Sequence, residues 1–230
     1  MCGKNINTNY YAQKLNSQSL YQVYDTKIPR VRQYLDMEID FVRKRLFGAE
    51  SVLEVGAGYG RILKELNNCS KYFLGIDISE QSVEFGKEYL KEFPHIRLET
   101  MDANKMDFAK EFDAVLCLQN GLSALKGKAP DLVNRCVNAL KNGGSAYFST
   151  YSSKFWDYRL AWFEEQANKG LIGEIDKKQT GDGLIVCKDG FMAKTFTEND
   201  FIRLGEESGY EFEIQEVDES SIYLIIKKIL

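Results

Sequence analysis

The hydrophobic positions of this 230-residue chain change period along its length. From Pro29 to Phe47, the residues Val31, Leu35, Val42 and Leu46 recur at helical spacing. Five short apolar runs follow: "SVLEVG", "YFLGIDI", "IRLETMDA", "FDAVLCLQ" and "SAYFSTY". Amphipathic stretches lie between them. "YGRILKELNNC" gathers Ile62, Leu63 and Leu66, while "SEQSVEFGKEYLKEF" has Ser79 placed to cap it and Pro94 to end it. "APDLVNRCVNALKNGG" carries Pro130 at an N-terminal helical position, Leu132, Val133, Cys136, Val137 and Leu140 on one face, and Gly143 as a stop. Buried strands alternating with amphipathic helices predict an α/β, doubly wound fold, a parallel sheet with helices on both faces.

After Ser152 the rhythm breaks. "SKFWDYRLAWFEEQANKG" reads as an aromatic helix, and "LIGEIDKKQTGDGLIVCKDGFMAKTF" as an antiparallel hairpin punctuated by Gly-Asp-Gly. The insertion, about 40 residues, is too structured for a loop, so a small α+β cap over the strand ends is expected. The closing stretch predicts a helix capped by Thr197, with Asp200 near its start and Gly209 at its end, then two strands joined by "DESS". Strands in such close succession pair antiparallel, since a parallel crossover needs a dozen or more residues. At the other end Tyr10, Tyr11, Tyr21 and Tyr24 either pack a leading helix on the core or belong to an N-terminal lid. The expected division is a lid segment at 1–48, a ligand-binding core at 49–151, a cap insertion at 152–195, and a helix with a strand pair at 196–230 that completes the core.

Composition narrows the class. With 44% apolar residues, 28% charged residues and three prolines, the chain is an ordinary soluble globular protein, large enough to need no covalent staple. Thirty Lys and Arg against 34 Asp and Glu leave a formal charge of −4. The signs are interleaved, which disfavours nucleic acid as partner. Cys2, Cys69, Cys117, Cys136 and Cys187 form no CxxC pair, and this odd, scattered set suits free thiols in a reducing compartment. Cys117 and Cys136 fall on apolar positions and read as core residues. The sequence shows no secretory apolar segment and no window long enough to span a membrane, so a cytoplasmic location without a membrane partner is expected. No metal site is expected.

The stretch "SVLEVGAGYGR" carries the candidate chemistry. A strand turning at once into a helix must let a ligand approach its backbone, and Gly56, Gly58 and Gly60 remove the side chains that would obstruct it. The dinucleotide fingerprint GxGxxG does not fit, because Arg61 stands where its third glycine belongs, and no Lys-Ser/Thr follows to make a P-loop. Asp77, ending the second strand, can accept both ribose hydroxyls of an adenosine. Glu54, just before the turn, would repel a pyrophosphate but suits a ligand bearing an ammonium and a sulfonium.

With "LEVGAGYGR", "LGIDIS", "LETMDANKMDF" and "FDAVLCLQNGLSAL" in order, residues 51–151 resemble class I S-adenosylmethionine-dependent methyltransferases. The resemblance implies a seven-stranded, mostly parallel sheet of strand order 3-2-1-4-5-7-6, ended by a reversed hairpin. It implies S-adenosylmethionine as cofactor and S-adenosylhomocysteine as product. Glu54, Gly56, Ala57 and Gly58 would line the methionine part, Asp77 would hold the ribose, and Ile78 would lie against the adenine. Asp102 and the Ala103 backbone would face the adenine edge; taken alone, Asp102 could equally be a cap or turn residue. Leu118, Gln119 and Asn120 would lie beside the sulfonium and the acceptor.

The acceptor is less constrained. In-line transfer from an activated sulfonium asks the protein chiefly to align the acceptor and exclude water. No general base is evident, and the sole histidine, His95, is expected to be exposed and structural at the end opposite the cofactor. After the fourth strand "LQNG" lacks the Asn/Asp-Pro-Pro-aromatic run of many amino-directed nucleic-acid enzymes, and no Pro-Cys pair offers a thiol. Gln119 and Asn120 are candidates to position a polar acceptor or to tie down their own loop. Tyr24, Tyr151, Trp156, Arg159 and Phe191 are substrate candidates, with Arg159 suited to an anionic group; the cap aromatics, Trp162 included, could equally be core. A small-molecule acceptor leads. An RNA or protein methyltransferase and a non-catalytic cofactor-binding subunit are the alternatives. An aminopropyltransferase is set aside because "QNG" replaces the acidic motif expected after the fourth strand.

Overall fold

The computed structural model describes Tyr10 and residues 14–229; Cys2, Tyr11 and the remaining terminal positions lie outside the described residues. After helices α1 (Ser17–Tyr24) and α2 (Pro29–Arg45), the core alternates β1 (Ser51–Val55), α3 (Arg61–Glu65), β2 (Tyr72–Asp77), α4 (Glu80–Tyr89), β3 (Ile96–Thr100), β4 (Phe112–Cys117), α5 (Gly121–Ala124), α6 (Ala129–Ala139) and β5 (Leu140–Tyr151). The chain continues through α7 (Trp156–Asn168), a small antiparallel ribbon of β6 (Leu184–Val186) and β7 (Met192–Lys194), α8 (Glu198–Ser208), β8 (Glu211–Val217) and β9 (Ser221–Lys227). Seven strands form one sheet in the order β3-β2-β1-β4-β5-β9-β8. The first five are parallel, and β9 runs antiparallel to both its neighbours. Numbered within the sheet, this is the expected order, with its reversed terminal hairpin.

Alternation along the strands divides the core into two layers. In β1, Leu53 and Val55 join Cys117, Cys136, Leu132 and Phe201 on one side of the sheet. Val52 packs on the other side with Val42, Leu63 and Leu116. Cys117 and Cys136 are fully buried, as their apolar positions implied. A third cluster joins α1 and α2 to the cap through Val23, Tyr34, Phe155, Trp162 and Phe163. Among the described residues no helix is long and apolar enough to cross a membrane.

Local signals hold at several boundaries. The Ser79 hydroxyl accepts from the Ser82 amide at 3.2 Å, and Thr197 with Asp200 forms a reciprocal capping box. Gly209 closes α8 at φ +71°. Three expectations need correction. Gly143 does not stop α6, which ends at Ala139, because Leu140 already pairs with Phe112 to begin β5. Pro94 lies beyond the end of α4, which stops at Tyr89. His95 is half-buried rather than exposed, its Nε2 sitting 2.9 Å from the Asn67 carbonyl oxygen.

The strand order reverses between β1 and β4, which run on to opposite sides of the sheet from one point. In an open α/β sheet the crevice at the carboxyl ends of such strands is where ligands bind. Here that crevice is bounded by the glycine loop, the turn after β2 and the loop after β4.

Candidate functional site

The glycine loop is bent by necessity. Gly56, Gly58 and Gly60 have φ of +78°, +56° and +81°, a region that side chains with a Cβ avoid. The Asp77 carboxylate locks the loop to β2: its Oδ2 accepts from the Gly58 amide and its Oδ1 from the Ser79 amide, both at 2.8 Å. Burial raises the Asp77 pKa, and these two N–H donors oppose the rise. Its remaining lone pairs are available to hydroxyl donors.

A cavity of about 140 Å³ opens over this loop. It is lined by Glu54, Gly56, Ala57, Gly58, Asp77 and Ile78 on the glycine side, and by Leu118 and Gln119 beyond β4. Tyr24, Arg61, Tyr151, Trp162, Phe163 and Gln166 close it toward α1 and the cap. Glu54 is 3% exposed, and its Oε2 has no hydrogen-bond partner. Burial pushes its pKa up to about 8, against the pull of Arg61 and with added repulsion from Asp77 and Glu38. An unpartnered buried carboxyl is costly, and a cationic ligand group beside it would remove that cost. Gln119 Nε2 is also buried and unpartnered.

The loop after β4 is held in an unusual shape. Gln119 and Asn120 take successive φ of +53° and +61°, conformations that cost energy for residues other than glycine. The Gln119 amide donates to Ser149 Oγ at 2.7 Å and to Glu38 Oε1 at 3.1 Å, and the Asn120 amide to the Ser149 carbonyl at 2.9 Å. Asn120 Nδ2 donates to the Lys194 carbonyl at 2.8 Å, while its Oδ1 accepts from Thr150 Oγ1 at 2.9 Å. Glu38, on α2, is fully buried with Oε2 unpartnered, and burial raises its pKa against the bond from Ser149 and the charge of Arg61. Sequence periodicity gave α2 as a core helix but did not single out Glu38, whose polar position sits among apolar neighbours.

The helix α1 closes the site from above. Leu20 stands on the glycine loop, its Cδ2 2.7 Å from where a Cβ on Gly58 would lie. The Ser17 amide donates to Ser82 Oγ at 3.1 Å, tying α1 to the core. On the cap side Trp162 Nε1 donates to the Val23 carbonyl at 3.0 Å, and Thr26 Oγ1 to Glu165 Oε2 at 2.6 Å.

The structure thus gathers Glu54, Gly56, Ala57, Gly58, Asp77, Ile78, Leu118, Gln119, Tyr24 and Tyr151 around one cavity. The other candidates lie elsewhere. Asp102 caps the short turn at Ala103–Lys105, accepting from the Asn104 amide at 3.0 Å, and Ala103 is packed in the core. Asn120 spends its side chain on Lys194 and Thr150. Trp156 and Arg159 border a second cavity beside Thr195 and Glu216, and Arg159 donates to the Gly183 and Ala193 carbonyls at 2.9 Å each. Phe191 is buried in the cap cluster against Phe163. Trp162, expected among the cap aromatics as pocket cover or core, is buried and lines the cavity, while sequence reasoning missed Arg61, Phe163 and Gln166 as cavity-lining residues; for Arg61 its place directly after the glycines was the available signal.

Residues 52–144 match the family model described as "Methyltransferase domain". The chain is 32% identical over 111 residues to the Ubiquinone biosynthesis O-methyltransferase of Idiomarina loihiensis, covering 46% of this chain and 43% of that protein. It spans about half the length of the curated relatives it matches. Its fold is similar to an S-adenosylmethionine-dependent methyltransferase from Clostridium acetobutylicum, with TM-score 0.64 and 15% identity over 93% of this chain and 99% of the other. It is also similar to Burkholderia thailandensis 1,6-didemethyltoxoflavin-N1-methyltransferase, solved with 1,6-didemethyltoxoflavin and S-adenosylhomocysteine. There the TM-score is 0.62 at 16% identity, covering 93% of this chain and 87% of that one.

Proposed function

We propose that this chain, whose residues 52–144 are a class I methyltransferase domain with S-adenosylmethionine as its cofactor, methylates a hydroxyl or amine of a small molecule. The observation that carries this reading is the buried, unpartnered Glu54 Oε2 beside the glycine loop, in the same cavity as Asp77. Those residues fit the cofactor chemically: an acid for its ammonium, and a carboxylate with free lone pairs for its ribose hydroxyls. When bound, the cofactor supplies a methyl already activated by a sulfonium.

The protein's own work is alignment and exclusion of water. Gln119, its backbone locked by Ser149 and Glu38, presents an unpartnered amide N–H to a polar acceptor. Asn120 acts one step back, holding that loop. Leu118, Tyr151, Trp162 and Phe163 form the apolar wall against which a small ring or chain would lie. The cavity is smaller than the roughly 300 Å³ at the low end of ligand pockets, so α1 serves as a lid that withdraws Leu20 from Gly58 when the cofactor enters. On this reading the lid is 1–48, the cofactor-binding core 49–151 and the cap 152–195, with 196–230 completing the core. Support for a small acceptor comes from this enclosed, aromatic-walled cavity, from the interleaved charge, and from relatives named ubiquinone biosynthesis O-methyltransferase.

The test is transfer of labelled methyl groups to a panel of small phenols, catechols and amines, with RNA and peptides in parallel. Turnover on a small molecule alone is expected. Turnover on RNA or peptide alone would overturn the acceptor class, and absence of S-adenosylhomocysteine binding would overturn the whole reading.

A further inference from the structure

Glu38 is a fully buried acid with only one of its oxygens occupied. Its Oε1 accepts twice, from Ser149 Oγ on β5 and from the Gln119 amide at 3.1 Å, and both bonds brace the loop after β4. Its Oε2 is buried with no hydrogen-bond partner. The Gln119 side chain is the group placed to answer it. Gln119 Nε2 is likewise buried and unpartnered, and the carboxamide lies close enough to the Glu38 carboxyl to favour its ionised form. Gln119 also lines the cavity, so one side chain stands between the buried acid and the acceptor space.

The two groups fit each other in two registers. An ionised carboxylate only accepts, so it takes the Nε2 end of the carboxamide; a protonated carboxyl carries an O–H donor and takes the Oε1 end. A half-turn about the last side-chain bond exchanges the ends, while the Gln119 backbone stays fixed at φ +53° by its bonds to Ser149 and Glu38. The cavity then meets the opposite end: Oε1 when Glu38 is ionised, Nε2 when it is protonated. Burial raises the Glu38 pKa, and the Ser149 bond and the Arg61 charge oppose the rise. The groups facing it are Arg61 on α3, Glu54 on β1, and the phenols of Tyr24, Tyr34 and Tyr223 on α1, α2 and β9. Burial keeps these phenols protonated, so Glu38 and Glu54 are the two that titrate here.

We propose that Glu38 is a positioning residue for the methyl acceptor: its protonation turns the Gln119 carboxamide, and so decides whether the site offers the acceptor an N–H donor or a carbonyl oxygen. This rests on the small-molecule reading, which uses the donor end and therefore protonated Glu38.

The test is magnetic resonance of the whole chain, with nitrogen-15 in the glutamine side chains and carbon-13 in the glutamate carboxyls. The Gln119 signal is identified by its loss in Gln119→Asn, and the Glu38 signal by its loss in Glu38→Gln. Neither measurement needs cofactor or acceptor. Between about pH 5 and 9 the two signals should move with one midpoint. Glu38→Gln should leave the Gln119 signal level with pH, and Glu54→Gln should leave it moving. Ser149→Ala withdraws a donor from the carboxylate and should raise the midpoint by about one unit. A Gln119 signal that ignores pH, or that still titrates in Glu38→Gln, would overturn the proposal. The second readout is KM for a small acceptor that wild type turns over. It should be about 10-fold higher above the midpoint than below it, and Glu38→Gln should remove that step. A KM equal on both sides of the midpoint would overturn the positioning role. Failure of wild type to methylate any small molecule would count against the reading beneath the proposal, while the two signals still decide whether Glu38 turns Gln119.

Discussion

Glu54 gives the sharpest test of the cofactor site, because its ionisation is set by burial and should change when a cation arrives. With a pKa of about 8, the carboxyl is roughly nine-tenths protonated at pH 7. An ammonium within a few ångströms lowers a carboxyl pKa by about 1–3 units, to about 5–7 here. Binding at pH 7 therefore releases about 0.4–0.9 proton from this one site. Calorimetry with S-adenosylhomocysteine in phosphate and in Tris, whose ionisation enthalpies differ, reads that number from the change in apparent enthalpy. Glu54→Gln should abolish the release. A wild-type enthalpy independent of buffer, or a release that survives Glu54→Gln, would refute the assignment. The same residue fixes a stability trend. The folded state keeps a proton that the unfolded chain gives up between about pH 4.5 and 8, so Glu54 makes unliganded stability fall as pH rises through that window. The slope approaches about 1.4 kcal/mol per pH unit, and Glu54→Gln should flatten it.

Three further outcomes follow from the same geometry. Asp77→Ala removes the acceptor of the Gly58 and Ser79 amides and, on the proposed reading, of the ribose hydroxyls; S-adenosylhomocysteine affinity should fall about 10- to 100-fold, and calorimetry showing no loss would contradict the ribose role. Leu20→Ala clears the space over Gly58 and should speed S-adenosylhomocysteine association in stopped-flow fluorescence; an unchanged rate would argue against α1 as a lid. Asn120→Ala loses two side-chain hydrogen bonds while keeping a Cβ at φ +61° and should cost about 2–4 kcal/mol in urea unfolding. Asn120→Gly, which relieves the backbone, should cost less, and equal losses would show that the strain is not felt.

The sheet was legible because each strand carries its own signature. The apolar run "SVLEV", the glycines that must follow it, and the acid ending "YFLGID" are local statements, readable without knowing what they touch. The glycine-loop side of the cavity was legible for the same reason: Glu54, Gly58 and Asp77 line it from strand ends whose positions the topology dictates. Boundaries were less so where a partner overrides a local signal, as when Leu140 pairs with Phe112 three residues before Gly143 and begins β5 early. Glu38 could not be read at all. Its side chain crosses from α2 to Ser149 on β5 and the Gln119 amide, a contact between segments that sequence order keeps far apart.

The cap side of the cavity was less legible, for a physical reason that Arg159 makes plain. A lone arginine in an aromatic helix reads as a ligand for an anion, yet Arg159 is 1% exposed and turns two N–H groups to the Gly183 and Ala193 carbonyls. The ribbon strand β7 is pinned to α7 by one of these bonds, so the charge holds the cap together. Trp162, three residues on along the same buried side of α7, does two things at once: it lines the cavity and donates to the Val23 carbonyl of α1. The wall an acceptor would meet is therefore fastened to the helix that stands over the glycine loop. If α1 is the lid proposed above, its withdrawal breaks the Trp162 bond, and an acceptor that shifts Trp162 loosens α1. On the proposed reading, cofactor entry and acceptor fit are coupled through one indole, and no periodicity along a single segment could have revealed a contact that joins segments far apart in sequence.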